Sequence, residues 1–308
     1  MTTLQARLKM RRLHFIELHE QQWIPSSLRD GVTDALQFGL NLLRAYAPIA
    51  PLLQKAIHSA GCRSIIDLCS GAGGPWLDLS RKVQGDAPAL PICLTDKYPN
   101  LGAFQNLQAA SENLITFYPS SVDAMKVPGE LKGFRTMFSS FHHFLPEEAR
   151  AILQNAVDAR QSIGIFEITR RAPLTIGLMF PWALMFFVCT PLIRPFRWSR
   201  LFWTYLVPMI PFVVLFDGVV SCLRTYRPKE LREIIEKLTA TEYQWEIGEH
   251  SGLPGKMSIT YLVGYQREGL SAVTDRSGES ASEHSGQHLS RAPMLPRYIF
   301  PDDGEWHG

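Results

Sequence analysis

Three acids stand at or just beyond the ends of three short apolar runs: Asp67 after Ile65-Ile66, Asp96 after Ile92-Cys93-Leu94-Thr95, and Asp123 beyond Leu114–Tyr118. Between the first two lies Cys69-Ser70-Gly71-Ala72-Gly73-Gly74-Pro75. Gly71, Gly73 and Gly74 carry no Cβ, so this stretch can turn sharply and let its backbone approach a ligand. A carboxylate at a strand end beside such a loop is suited to accept hydrogen bonds from ligand hydroxyls. Farther along, Ser139-Ser140-Phe141-His142-His143-Phe144 brings two imidazoles, whose ordinary pKa near neutrality suits proton transfer. His142 and His143 are therefore candidate general bases, with a structural histidine as the alternative. Glu167 closes another apolar run and is a candidate to hold a substrate hydroxyl or amine, or to cap a loop.

These residues need a scaffold that brings strand ends together. The chain from residue 61 alternates short apolar runs with helical segments. Strands are expected near 64–68, 91–96, 114–118, 134–140 and 162–168, with helices near 75–83, 100–110 and 146–157. Alternation of this kind predicts a mostly parallel sheet with helices on both faces, so that Asp67, Asp96 and Asp123 share one edge. Residues 228–238 form an amphipathic helix, and 243–249 with 258–265 read as a closing hairpin. Ahead of the sheet, residues 34–46 and 51–60 carry apolar side chains at helical spacing.

On Asp67-x-x-x-Gly71-x-Gly73, Asp96 and Asp123 the chain resembles the Rossmann-like (class I) S-adenosylmethionine-dependent methyltransferases, over about residues 55–267. The resemblance implies a doubly wound, seven-stranded, mostly parallel α/β sheet with an antiparallel last strand. It implies S-adenosyl-L-methionine as cofactor, with Gly71 and Gly73 toward its methionine part, Asp96 on the ribose and Asp123 on the adenine amino group. Asp67, Cys69 and Ser139 complete the cofactor set, although Cys69 stands where the family usually has its first glycine. A nicotinamide dinucleotide is the competing ligand, but its G-x-G-x-x-G fingerprint would need a glycine where Trp76 stands.

The domain organisation expected is an N-terminal helical extension or lid (1–54), a methyltransferase domain (55–267) and a disordered tail (268–308). Hydrophobic residues make up 46% and charged residues 19%, as in a globular protein. A net charge of +2 without a basic stripe gives no sign of a nucleic-acid partner. Five cysteines without metal-type spacing suggest free thiols in a reducing, cytoplasmic setting, and no secretory signal is evident in Met1–Arg12. No metal site is predicted. His284 and His288 are four apart, but Ser285 and Gly286 between them disfavour a helix.

An apolar insertion follows the fifth strand. Residues 172–193 lack any charge, and 201–216 again lack one, with Arg194, Arg197 and Arg200 between. Pro181, Pro191, Pro208 and Pro211 are expected to interrupt both segments. Two readings follow: an interfacial or re-entrant hairpin at the cytoplasmic face of a membrane with the arginines at head groups, or a buried substrate lid. Either favours a small hydrophobic or lipid-like methyl acceptor. A non-catalytic membrane-associated protein of this fold, and a methyltransferase for RNA or protein, are the alternatives. Asp217, beside the insertion, is expected to meet Arg224 or a backbone N–H.

Overall fold

The structure is a computed structural model that describes residues 10–84, 90–239, 243–251 and 258–266. The expected tail at 268–308, with His284 and His288, lies outside the described residues.

Seven strands form one sheet: β1 (Ile65–Asp67), β2 (Ile92–Leu94), β3 (Ile115–Phe117), β4 (Phe134–Phe138), β5 (Ile163–Glu167), β6 (Tyr243–Ser251) and β7 (Ser258–Gln266). Their order is β3-β2-β1-β4-β5-β7-β6. β1 to β5 run parallel, and β7 lies antiparallel between β5 and β6. This order and polarity are those of the Rossmann-like methyltransferase fold. The chain leaves β1 toward β2 on one side and returns to β4 on the other, so the β1/β4 boundary is the topological switch point where such sheets bind ligands. β1, β4 and β5 are buried along their whole length, which suits their mostly apolar composition; Arg135 and Thr136 of β4 are the interior exceptions, donating to Asn155 and to Asp67.

Helices cover both faces. On one side α2 (Ala50–Ser59), α3 (Trp76–Gln84) and α4 (Leu101–Ala110) bury Leu53, Trp76, Leu79 and Phe104 against the sheet. On the other, α5 (Pro146–Asp158) and α9 (Pro228–Ile235) bury Ile152, Leu153, Leu231 and Ile234. Glu148 and Glu230 accept the backbone N–H of Leu145 and Arg227, tying down the starts of α5 and α9. The boundary expected at residue 54 falls inside α2, because α2 packs into the sheet's own core rather than into a lid.

A third cluster lies over the carboxyl edge. There α1 (Ser26–Leu42) packs Leu28, Val32 and Ala35 against α6 (Pro173–Cys189) and α8 (Met209–Arg224), through Ala183, Phe186, Ile210, Val213 and Val214. α1 starts eight residues earlier than the sequence reading places it. Pro181 sits inside α6 without ending it. α6 approaches α8 so closely at Gly218 that a Cβ there would meet Met179 Sδ at 2.7 Å, and this packing carries the helix through the proline. Pro191, Pro208 and Pro211 do lie at helix ends: in the 3₁₀ turn at 190–192, just before α8, and in its first turn. Between α6 and α8, α7 (Trp198–Leu201) leads into a π-helical turn at 202–206.

The arginines of the insertion divide. Arg200 is buried, paired with Asp34 of α1 and donating to the carbonyls of Ile193 and Pro195. Arg197 lies 3.6 Å from both Asp30 and Asp34. Only Arg194 of the three is exposed, so the expected three-arginine head-group contact gives way to an arginine-to-α1 anchor.

Candidate functional site

The first part of the site is local. Asp67 ends β1 at 1% exposure and accepts hydrogen bonds from the Ser70 and Thr136 hydroxyls, each at 2.7 Å. Burial pushes its carboxyl up to about 6 against the pull of those donors. Asp67 therefore lies beneath the loop and fixes it rather than facing a ligand. Above it Cys69, Gly71, Gly73 and Gly74 all have φ between +53° and +107°. Glycine takes that conformation freely; Cys69, at +56°, takes it under strain.

The two glycines expected to face the cofactor do different things. A Cβ on Gly71 would meet nothing within 4 Å, so that side is open. A Cβ on Gly73 would stand 1.9 Å from Leu107 Cδ1, so this glycine lets the loop close onto α4. Asp96 is half-buried beside Gly71; its carboxylate accepts from Gly71 N at 2.8 Å and from Tyr98 N at 2.9 Å. Asp123 is also half-buried, 3.1 Å from Lys97 Nζ and accepting from Met125 N at 2.9 Å. The Met125 and Lys97 bonds hold its carboxyl below the ordinary range, although burial opposes them. Gly71, Asp96 and Asp123 thus line successive strand ends, as expected.

Ser139, the residue after β4, has φ +44°, in the left-handed region like Cys69. Its hydroxyl lies 2.5 Å from the Tyr46 hydroxyl. Two strained residues, Cys69 and Ser139, therefore flank the switch point from adjacent strands, where strain commonly marks a functional edge.

The second part of the site is assembled from distant residues. His142 is 2% exposed and lies in a 3₁₀ turn at Phe141–His143. Glu167, at the end of β5, accepts from Phe141 N at 2.7 Å and from His142 N at 3.2 Å, and meets His142 Nδ1 at 2.7 Å. Glu167 therefore caps the turn and orients the imidazole. Burial alone would lower the pKa of His142, but Glu167 and then Glu17 outweigh it and push it up to about 10. His143 is half-buried, with Nδ1 2.5 Å from Glu20 Oε1 and 3.5 Å from Glu17 Oε2. The two rings stand 4.3 Å apart. Both imidazoles are held by carboxylates, an arrangement that serves anchoring more than proton abstraction.

Glu17, Glu20, Arg224 and Arg12 belong to this cluster and were not singled out from the sequence. Glu17 and Glu20 lie 3.2 and 3.1 Å from Arg224 Nη1. Arg12 donates to the carbonyls of His142 and Phe144. The available signal was His14-Phe-Ile-Glu17-Leu-His19-Glu20, four His or Glu in seven residues of the N-terminal segment. Asp217 accepts from the backbone N–H of Leu18 and His19 and meets His19 Nδ1 at 2.8 Å. Its expected backbone partner is thus found, whereas Arg224 turns instead to the glutamates.

Beside the cluster, Phe15, Ile16, Phe180, Phe212, Phe216 and Leu223 help line an apolar groove of about 500 Å³ between the N-terminal segment, α6 and α8.

No family model and no curated protein matches the sequence. Among solved structures, the neocarzinostatin-biosynthesis O-methyltransferase NcsB1, in complex with S-adenosylmethionine and 2-hydroxy-5-methyl naphthoic acid, aligns at TM-score 0.47 and 11% identity, covering 78% of this chain and 58% of its own. Human N-acetylserotonin methyltransferase, in complex with S-adenosylmethionine, aligns at TM-score 0.44 and 12% identity, covering 76% and 56%. The methyltransferase domain of bacterial CtHen1 aligns at TM-score 0.42 and 11% identity, covering 71% and 97%. The chain spans little more than half the length of the first two.

Proposed function

We propose that the protein transfers a methyl group from S-adenosyl-L-methionine to a small hydrophobic or lipid-like acceptor. The observation that carries this reading is the open, left-handed turn at Gly71 beside the half-buried Asp96 carboxylate, at the switch point of the sheet. Those groups fit the cofactor. Gly71 offers close backbone approach, Asp96 has the chemistry to hold a ribose diol, and Asp123 sits one strand farther out for the adenine amino group. The bound cofactor would supply an electrophilic methyl on a sulfonium. The protein's part is then chiefly positioning, in which Asp96 and the loop hold the donor while the lid helices exclude water and orient the acceptor. A base is needed only for an acceptor that must lose a proton early, so the engaged state of His142 and His143 does not oppose the reading.

The apolar groove supports the acceptor class, since its volume falls in the range of small-molecule sites and its lining is hydrocarbon. Calorimetry with S-adenosylmethionine and S-adenosylhomocysteine tests the donor half. Binding of either, weakened in Asp96→Ala by roughly 1.5–3 kcal/mol, is expected for charge-assisted hydrogen bonds to two hydroxyls. No binding of either at millimolar concentration overturns the proposal. Label from a radioactive methyl donor, followed into extracted metabolites and lipids, identifies the acceptor.

A specific observation favours a lipid surface as the neighbour of the insertion. Phe180, Leu184, Val188 and Leu192 are all more than 60% exposed and recur every four residues, so they form one bare ridge along α6. Trp198, at 77%, and Leu206, at 74%, extend the bare surface past the turn. Pro173–Leu192 is 20 residues of mean hydropathy 1.7, long and apolar enough to cross a membrane, yet one face is occupied by α1 and α8. The geometry suits an interfacial helix with aromatic side chains at the acyl boundary. The five cysteines are all free thiols, which accords with the cytoplasmic side. Flotation with vesicles of neutral and anionic lipid tests this. Flotation with both is expected, since exposed Arg194 is the one free cation of the three. A soluble dimer that ignores vesicles would overturn it.

A further inference from the structure

We propose that Glu17, His142 and His143 form a binding site for a divalent transition metal of the zinc class, which pins the N-terminal segment to the loop after β4. One ligand atom from each residue lies within 4.8 Å of the other two. His142 Nε2 is buried without a hydrogen-bond partner, and points into this space. Its distance to Glu17 Oε1 is 3.6 Å, too long for a hydrogen bond. Glu17 Oε2 stands 3.5 Å from His143 Nδ1. Ligand atoms held at about 2.0–2.1 Å in a tetrahedron around zinc are roughly 3.3–3.4 Å apart, so these separations are those of ligands around a shared ion.

The surroundings are those of a metal site as well. His142 gives its other ring nitrogen to Glu167 at 2.7 Å, the carboxylate–histidine arrangement that fixes a ligating imidazole. Glu17 Oε1, the oxygen nearer His142, is held by Ser221 Oγ at 3.1 Å and Arg224 Nη1 at 3.2 Å, while Oε2 is turned to His143, so the two oxygens together would bracket the ion. Glu20 Oε1 stands 2.5 Å from His143 Nδ1, a hydrogen bond that an ion would displace, and Arg224 holds its Oε2, so Glu20 would be free to swing in as a fourth ligand only once the metal is bound. Two imidazoles with carboxylates favour zinc or a neighbouring transition metal over magnesium or calcium, which prefer all-oxygen sites. The site ties residues some 125 apart in the chain, and α8 joins it through Arg224.

The test titrates Zn²⁺ into the full, chelator-treated protein by calorimetry, without any methyl donor, so its outcome is separate from that of the proposed methyl transfer. One Zn²⁺ per chain is expected. Glu167→Gln should weaken binding about 10- to 100-fold, the usual effect of losing the orienting partner, with Glu17→Gln and His143→Ala weakening it further. His58→Ala, an exposed histidine on α2, should leave both stoichiometry and affinity unchanged. Less than half an equivalent bound, or equal affinity in Glu17→Gln and His143→Ala, would overturn the site. Where a buried variant fails to fold, Co²⁺ added to the unaltered protein decides. An intense tetrahedral visible spectrum supports the site, and a weak octahedral, aqua-like one overturns it.

Discussion

The two halves of the sheet's carboxyl edge solve the same problem in opposite ways. On the β1/β2 half, Asp67, Ser70, Gly71 and Asp96 come from one stretch of thirty residues, and nearly every contact uses a backbone N–H or a hydroxyl. On the β4/β5 half, Glu17, His142, Glu167 and Arg224 come from the whole chain and meet as buried charges. A local network of carboxylates met by backbone N–H and hydroxyl donors holds its shape through turn geometry and leaves Gly71 open. A charged, long-range network instead ties the N-terminal segment and α8 to the turn after β4, because each charge is costly unless its partner arrives with it.

The contrast fails most visibly if the charged half tolerates loss of a partner. Arg224 is 3% exposed and pairs with Glu17 and Glu20. Arg224→Met removes the cation from buried Glu17 and leaves its carboxylate to the neighbouring histidines alone, so unfolding in urea is expected to show a loss of about 3–5 kcal/mol. Lys229→Met removes an exposed partner of exposed Glu233 and should cost roughly 0–1 kcal/mol. Equal effects from the two would mean that the charged cluster is solvated and that these segments are held by apolar packing alone.

The local half carries its own signature in pH. The Asp67 carboxyl titrates near 6 in the folded protein, above the ordinary aspartate value, because burial favours the neutral form. Between about 4 and 6 the folded state therefore binds more protons than the unfolded one at this site. Its contribution is present below the unfolded pKa and is lost as pH rises through about 6, by up to about 3 kcal/mol. Other carboxylates overlie this trend, so the readout is the slope. Wild type minus Asp67→Asn should lose stability with rising pH across that window and be flat above it. A flat difference throughout would place the Asp67 carboxylate among donors strong enough to keep it ionised.

How much of each half is legible in the sequence follows from the same contrast. β1 to β5, the closing hairpin, the loop and the acids Asp96 and Asp123 are encoded in contiguous runs, where apolar period and glycine spacing speak directly. Asp67 was read as facing the ligand because its place after a strand does not reveal which way a carboxylate turns. Gly73 looked like Gly71, and only Leu107 from α4 separates their roles. Of the charged cluster, His142, His143 and Glu167 are legible beside their strands, but their partners Glu17, Glu20 and Arg224 are not. Glu17 and Arg224 are more than two hundred residues apart, and no local period links them. Pro181 was read as a break because a proline's local cost is visible in sequence, whereas the α8 contact that offsets it is not. Arg200 looked like a surface cation for the matching reason, since Asp34 lies 166 residues before it.

The smallest effect tests the local half at its one irregular residue. Cys69 holds φ +56° where glycine would sit without strain. The left-handed conformation costs a residue with a Cβ about 1–2 kcal/mol. Cys69→Gly removes that cost but loosens the unfolded chain by roughly 0.5–1 kcal/mol and gives up a side chain packed against Ile66 and its neighbours. The balance predicts a modest gain, at most about 1 kcal/mol in unfolding free energy, with affinity for the methyl donor unchanged because the open side of the turn belongs to Gly71. A loss of stability instead would mean that thiol packing outweighs the strain, and that the local half, like the long-range one, depends on a contact the loop's own sequence does not disclose.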